Sequence, residues 1–230
     1  MLPVAILAGG LATRLRPATD TIPKALIPIN NEPFVAHQLR LLKRSGIGRI
    51  VLCVGYRSEQ IQEYVGDGSQ FGMEVSYSFD GSRLLGTAGA IRNALPLLGD
   101  QFFVLYGDSY LPCDYPAIER GFHESGKLAL MTILRNDGRW DQSNVEFSDG
   151  RIVKYDKTHR SSEMRYIDYG LGALSRVVFD NVPFDQPWDL STVYRDLVDR
   201  GQLAAYEVPE RFYEVGSPGG IQELSEYLSQ

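Results

Sequence analysis

Through the first 135 residues, short apolar runs alternate with stretches whose apolar positions recur at helical spacing. Val4-Ala5-Ile6-Leu7 has no polar interruption and reads as a buried strand. Phe34, Val35, Leu39 and Leu42 then follow a helical period up to Gly46, and Arg49-Ile50-Val51-Leu52-Cys53-Val54 is a second buried strand ended by Gly55-Tyr56. Ser58 is expected to cap a helix through Tyr64, closed by Gly66-Asp67-Gly68. Residues 73–78 form a third strand, and residues 84–91 open a helix running to Leu95 with Thr87 as its N-terminal cap, leaving backbone N–H groups to face a ligand. A further apolar run, 102–106, delivers Gly107-Asp108 at its C-terminal end. Asp114 and Pro116 start a helix through Phe122, and residues 128–134 return as a strand.

Beyond this point the pattern changes. Residues 144–147 and 151–155 alternate as paired strands joined through Ser148-Asp149-Gly150, a turn sequence suited to positive φ. Ser191 is expected to cap a helix ending before Gly201, residues 203–207 form a last strand, and Pro218 opens a terminal helix. The β-α-β-α order predicts an α/β fold: a Rossmann-like, doubly wound, mostly parallel sheet with an antiparallel hairpin region and a ligand site at the strand C-termini. A chain of 230 residues, 43% of them hydrophobic, is long enough for one such domain over 1–230, with residues 1–135 as one half and 136–230 as the other. No hexapeptide repeat of a β-helix is present in the sequence.

Charge narrows the partners. A formal net charge of -6 argues against broad nucleic-acid or anionic-membrane binding, both of which need a basic surface. The two cysteines, Cys53 and Cys113, have no metal-ligand spacing and read as free thiols. With no signal-peptide pattern and no membrane-length apolar run, the expectation is a cytoplasmic protein. His37 falls inside a predicted helix and reads as structural.

The chemistry concentrates in Val4-Ala5-Ile6-Leu7-Ala8-Gly9-Gly10-Leu11-Ala12-Thr13-Arg14-Leu15-Arg16-Pro17, with Lys24 ten residues after Arg14. A glycine pair after a strand lets a polyphosphate lie against bare backbone N–H groups, and the arginines and lysine supply positive charge. Together these residues resemble the opening Leu-Ala-Gly-Gly-x-Gly-Thr-Arg-Leu-x-Pro and Pro-Lys-Pro of the sugar-1-phosphate nucleotidylyltransferase family, in the short form that includes mannose and heptose guanylyltransferases and N-acetylmuramate-1-phosphate uridylyltransferases. Ala12 stands in place of the third glycine and Ala25 in place of the second proline. The resemblance implies that Leu7, Ala8, Gly9, Gly10 and Thr13 bind nucleotide, and that Arg14 and Lys24 act on the triphosphate.

Three later segments extend it. Leu85-Gly86-Thr87-Ala88-Gly89 matches the family's Leu-Gly-Thr-Ala-Gly, implying that Gly86 and Thr87 lie against nucleobase and sugar. The Gly107-Asp108 pair matches the family's metal-binding aspartate, and Phe212-Tyr213-Glu214-Val215-Gly216 its closing aromatic-Asp-Val-Gly, with Glu214 in place of the second aspartate ligand. Between them Asp156-Lys157 resembles the family's Glu-Lys, and residues 166–172 its glycine-containing sugar strand. Asn144, Asp156, Lys157, Asp168 and Gly170 are accordingly expected to bind the sugar phosphate. Residues 139–144 match no motif, and Trp140 there either stacks on a sugar or packs.

The implied reaction joins a nucleoside triphosphate and a sugar 1-phosphate. The acceptor's second pKa is near ~6, so it is largely ionised without a general base, and no catalytic His or Cys is called for. Two polyanions must instead be brought together, which calls for fixed cations and Mg2+, for which Mn2+ could substitute, held by Asp108 and Glu214. A dinucleotide-dependent dehydrogenase is disfavoured, because Gly9 to Arg14 lacks Gly-x-Gly-x-x-Gly. A catalytically silent regulatory subunit remains, motivated by Ala12 and Glu214. GTP with a heptose or mannose phosphate is favoured over UTP, dTTP or CTP. Oligomeric state is left open.

Overall fold

A computed structural model describes residues 1–10, 15, 18–184 and 186–230. In chain order the elements are β1 (Val4–Leu7), β2 (Pro28–Ile29), β3 (Glu32–Pro33), α1 (Phe34–Arg44), β4 (Arg49–Val54), α2 (Ser58–Val65), β5 (Glu74–Phe79), α3 (Gly86–Leu98) and β6 (Gln101–Tyr106). They continue with β7 (Ser109–Tyr110), α4 (Tyr115–Ser125), β8 (Ala129–Arg135), β9 (Val145–Ser148), β10 (Arg151–Tyr155), β11 (Tyr166–Ser175), α5 (Leu190–Asp199), β12 (Leu203–Glu207), β13 (Tyr213–Glu214) and α6 (Pro218–Leu228).

Nine strands form one sheet whose path is β10-β9-β11-β6-β1-β4-β5, with β8 on β11 and β12 on β8. The pairs β1–β4, β1–β6, β4–β5 and β8–β12 are parallel; β11 runs antiparallel to β6 and β8, as β9 does to β10. The sheet is therefore the mostly parallel, doubly wound one that the element order predicts. Because side chains alternate along a strand, Val4 and Ile6 enter one core with Val35, Leu39 and Ile61, while Ala5 enters the other with Ile91, Leu95 and Leu197. A fully buried side chain of this size contributes about 1.5–3 kcal/mol. A third, smaller cluster seats α6 over β2 and α1 through Ile29, Phe34, Tyr110, Val215 and Leu224.

Three predicted caps are corrected. Ser58 is the first residue of α2; the cap is Arg57 in the left-handed region at φ 52°, with no side-chain cap bond. At α5 the Asp189 carboxylate, not Ser191, is the cap, accepting from the Ser191 N–H. Thr87 is not the cap of α3, which starts at Gly86 behind Leu85; its hydroxyl accepts from the Leu190 N–H at 2.7 Å. At α5 the Asp189 carboxylate takes the role that spacing gives to Ser191, and at α3 the Leu190 N–H occupies the Thr87 hydroxyl. Asp114 and Ser217 do cap their helices, accepting from Ala117 and Gly220. The hairpin turn is also as expected, with Asp149 at φ 51° and Gly150 at φ 74°. His37 is structural, its Nε2 lying 2.9 Å from the Ile29 carbonyl. Among the described residues no helix is long and apolar enough to cross a membrane.

Candidate active site

The chain reverses direction across the sheet at β1: β4 and β5 lie to one side and β6 to the other. Ligands of such sheets bind where this reversal leaves a crevice beyond the strand C-termini. Here the crevice is bounded by Ala8, Gly9 and Gly10 after β1 and by Gly107 and Asp108 after β6. The strand exits are held close, with the Gly107 N–H donating to the Leu7 carbonyl at 3.0 Å and the Ala8 N–H to the Cys53 carbonyl at 2.8 Å. A Cβ on Gly107 would stand 2.5 Å from the Leu7 oxygen and 2.9 Å from the Ala8 Cα, both immovable backbone atoms. Gly107→Ala is therefore expected to destabilise the fold by about 1–3 kcal/mol or more, read as a lower urea midpoint at unchanged m. An unchanged midpoint would show that the two exits are not rigidly packed.

Two cavities open from this point. The first, about 250 Å³, takes its wall from Leu7, Ala8, Gly9, Gly10, Gly86 and Thr87, all expected nucleotide residues, with Lys24 and Asp108 beside them. The second, about 320 Å³, brings together Asn144, Lys157, Asp168 and Gly170 of the expected acceptor set with Asp108 and Glu214. Asp108 and Tyr106 line both cavities. Thr13 and Arg14 lie outside the described residues.

Lys24 and Asp108 form an ion pair of 2.9 Å, Lys24 being carried by a single turn, Lys24–Leu26, after Pro23. Glu214 reaches the same place by strand pairing. Ribbon β7–β13 sets Glu214 opposite Ser109, and the Val215 N–H donates to the Asp108 carbonyl at 2.9 Å. Two carboxylates thus stand on adjacent backbone, Asp108 lining both cavities and Glu214 the second. Among the described residues no group of three or more His, Cys, Asp or Glu could hold a metal ion. That donor set fits magnesium, which commonly takes one or two carboxylates and completes its shell with substrate phosphate and water.

In the second cavity, β11 departs from regular pairing between Asp168 and Gly172, with Gly170 at φ 100°. The irregularity turns Asp168 and Gly170 into the cavity wall. Asp168 accepts from the Tyr155 hydroxyl at 2.9 Å and the Gly170 N–H at 3.1 Å, and the Lys157 ammonium lies 3.8 Å away. Lys157 also donates to the Tyr106 hydroxyl at 3.2 Å, its ammonium 5.1 Å from the centre of that ring. Burial, reinforced by nearby carboxylates, pushes the Tyr106 phenol well above its ordinary range, so it remains neutral. Asp156 does not line this cavity. Its Oδ1 accepts from the N–H groups of Thr158 and His159 and from the Thr158 hydroxyl, bonds that hold its carboxyl below the usual carboxylate range and fix the turn that carries Lys157.

Two of the backbone donors expected to be free at the start of α3, those of Ala88 and Gly89, are taken. Trp188's carbonyl accepts from Ala88 at 2.8 Å and Gly89 at 3.3 Å, and a Cβ on Gly86 would meet it at 2.7 Å. The glycine there serves close packing at φ 71° as well as the cavity. Both cysteines are free, and burial pushes the Cys53 thiol up to about 12, which rules it out as a nucleophile near neutrality.

Several wall residues carry no motif. Asp80 lines the first cavity, and Ser109, Asp141, Gln142 and Arg160 line the second. Asp141 and Gln142 are placed by buried Asn136, whose Nδ2 donates to the Asp141 carbonyl at 2.6 Å and the Ser143 hydroxyl at 3.0 Å while its Oδ1 accepts from Trp140. Trp140 itself stands outside both walls, exposed, with the Arg211 guanidinium 5.8 Å from its ring centre.

The family model for nucleotidyl transferases matches residues 4–144, well over half of the chain. The chain belongs to the nucleotidyl transferase family. Among similar members, a UTP–glucose-1-phosphate uridylyltransferase from Synechocystis sp. is 32% identical over 213 residues, covering 85% of this chain and 55% of its own length. The chain thus spans about half the length of that relative. A D-glycero-alpha-D-manno-heptose 1-phosphate guanylyltransferase from Campylobacter jejuni is 29% identical over 214 residues, covering 93% of this chain and 94% of its own. The crystal structure of HddC from Yersinia pseudotuberculosis complexed with GMP-PN superposes at a TM-score of 0.79 with 25% identity, over 99% of this chain and all of that one. In this nucleotidyl transferase the glycine pair follows β1 and Asp108 follows β6, and both line the first cavity with Lys24.

Proposed function

We propose that the protein transfers a nucleotidyl group from a nucleoside triphosphate to a sugar 1-phosphate, releasing pyrophosphate. The observation that carries this reading is the meeting of two cavities at Asp108, one walled by the glycine-pair loop and the other by Lys157, Asp168 and Asn144. A carboxylate facing both can hold a cation between two anionic substrates, which joining them requires. GTP with a heptose or mannose 1-phosphate is the favoured pair, supported by the Campylobacter guanylyltransferase, which matches the chain nearly end to end, and by the Yersinia structure holding a guanine nucleotide analogue.

The triphosphate would occupy the first cavity, its phosphates against Gly9 and Gly10 and beside Lys24, with Arg14 as a further cation. The sugar phosphate would occupy the second, held by Lys157, while Asn144 and Asp168 face its hydroxyls. An ionised phosphate oxygen of the acceptor forms the new bond to the α-phosphorus. The bond from that phosphorus to the β-phosphate oxygen breaks, and pyrophosphate leaves with the electron pair. No protein group has to remove a proton, because the acceptor is already ionised. What the side chains supply is alignment and fixed positive charge where charge grows. Magnesium, which Asp108 and Glu214 would hold, supplies Lewis-acid stabilisation of the transferring phosphoryl group.

A matrix of five nucleoside triphosphates against a panel of sugar 1-phosphates, scored for pyrophosphate and product mass, tests the reading; a dominant product other than a GDP-sugar would overturn the favoured pair. Lys157→Ala is expected to raise KM for the sugar phosphate by roughly tenfold or more, the worth of one charge-assisted hydrogen bond, with nucleotide KM unchanged. An effect confined to nucleotide would move Lys157 out of the acceptor half.

A further inference from the structure

The wall of the first cavity mixes two chemistries. Lys24 and Asp108 supply its paired charges; Cys53, Leu84, Gly86 and Ala90 supply an apolar wall into which a single carboxylate, Asp80, is set, close enough to Gly9 that a Cβ there would stand 3.3 Å from its Oδ2. Asp80 follows β5, where its N–H donates to the Val54 carbonyl at 2.9 Å. Its Oδ2 accepts from the Leu85 N–H at 3.2 Å, and its Oδ1 takes no hydrogen bond from any described residue. Among the described residues it has no ion-pair partner, and burial raises its pKa. By contrast Asp108, the other carboxylate of this cavity, is paired with Lys24. A half-desolvated carboxylate that no described cation neutralises, in a cavity that takes a polyanion, is costly unless the ligand brings hydrogen-bond donors to it.

Nucleobases differ in what they bring. Guanine presents two adjacent donors, N1–H and the 2-amino group, to which a carboxylate is complementary. Uracil and thymine present one N–H flanked by two carbonyl oxygens that a carboxylate repels. Cytosine and adenine offer one amino group beside a ring-nitrogen acceptor. We infer that Asp80 is a specificity-determining residue that reads the donor edge of guanine from the apolar wall of the nucleotide cavity. The inference rests on the nucleotide occupying that cavity, as the proposed function has it.

The test is equilibrium binding of GTP, ITP, UTP, dTTP and dGTP to the wild-type protein and to Asp80→Asn, whose amide oxygen can still accept from Leu85 and so preserves the loop. Wild type is expected to bind GTP at least about tenfold more tightly than UTP or dTTP, and more tightly than ITP, which lacks the 2-amino donor. Asp80→Asn should lose most of the GTP preference while its UTP affinity holds or rises. Equal weakening of every nucleotide, or a loss confined to the difference between GTP and dGTP, would make Asp80 a ribose or loop residue and overturn the inference. So would a wild type that prefers UTP or dTTP. Binding separates this claim from the transfer reaction: selective GTP binding lost in Asp80→Asn, without pyrophosphate release from any substrate pair, would uphold the base reader and reject transfer. A protein that binds none of these nucleotides rejects both.

Discussion

Asp108→Asn is expected to lower turnover by roughly 10³-fold with the fold intact. Losses of 10²–10³ follow removal of one group that stabilises transition-state charge, and this residue stands where both substrates meet. The carboxylate occupies the mouth of both cavities, is positioned by the Val215 N–H on its own carbonyl, and holds Lys24 at 2.9 Å. Asparagine keeps the shape but not the charge, so it forfeits the magnesium and leaves the Lys24 ammonium unpaired at once. Thermal unfolding should show little change, since Lys24 and Asp108 are both partly exposed and such pairs contribute little to stability. Turnover within tenfold of wild type would remove Asp108 from the reaction centre.

Glu214→Gln is expected to cost roughly 10²-fold, with magnesium or manganese, because a metal ligand's charge is lost while the ribbon that carries it is not. Glutamate is one methylene longer than aspartate. The close seating of α6 sets its backbone: a Cβ on Gly220 would meet the Glu214 carbonyl oxygen at 2.2 Å, so the helix start lies directly against β13. Manganese tolerates less regular geometry than magnesium, so wild-type activity with manganese should equal or exceed that with magnesium. Glu214→Asp should keep partial activity. Mn2+ affinity, followed by electron paramagnetic resonance in the presence of nucleotide, should fall in Glu214→Gln alongside the rate. Full turnover with unchanged Mn2+ affinity would show that Glu214 is not a ligand.

The sheet was legible in the sequence because apolar runs such as Val4-Ala5-Ile6-Leu7 are buried on both faces, and Gly9-Gly10 and Gly107-Asp108 follow the two strands that meet at the reversal. Of the expected acceptor residues, Lys157, Asp168 and Gly170 stand in segments with motif likeness and share one wall with Asn144, whose segment has none. What was not legible depends on contacts between distant segments. Thr87 reads as a cap by spacing, yet Leu190 claims its hydroxyl and Trp188 the adjoining N–H groups, partners about a hundred residues away. Asp156 reads as a ligand by its place beside Lys157, yet it lies outside the cavity wall and its Oδ1 takes three bonds from its own turn. Tyr106 reads as one more apolar strand residue; only the sheet order shows that it stands between the cavities and supports Lys157. Asp141 and Gln142 depend on the buried amide of Asn136, which has no local pattern to announce it.

The most direct test of the account is pyrophosphate release by the wild-type protein given magnesium, GTP and mannose or heptose 1-phosphate, with each substrate omitted in turn. The account predicts release only when both substrates are present, with a product mass equal to a GDP-sugar. Release that does not depend on the sugar phosphate, or no release with any triphosphate and sugar-phosphate pair although GTP binds, would contradict it.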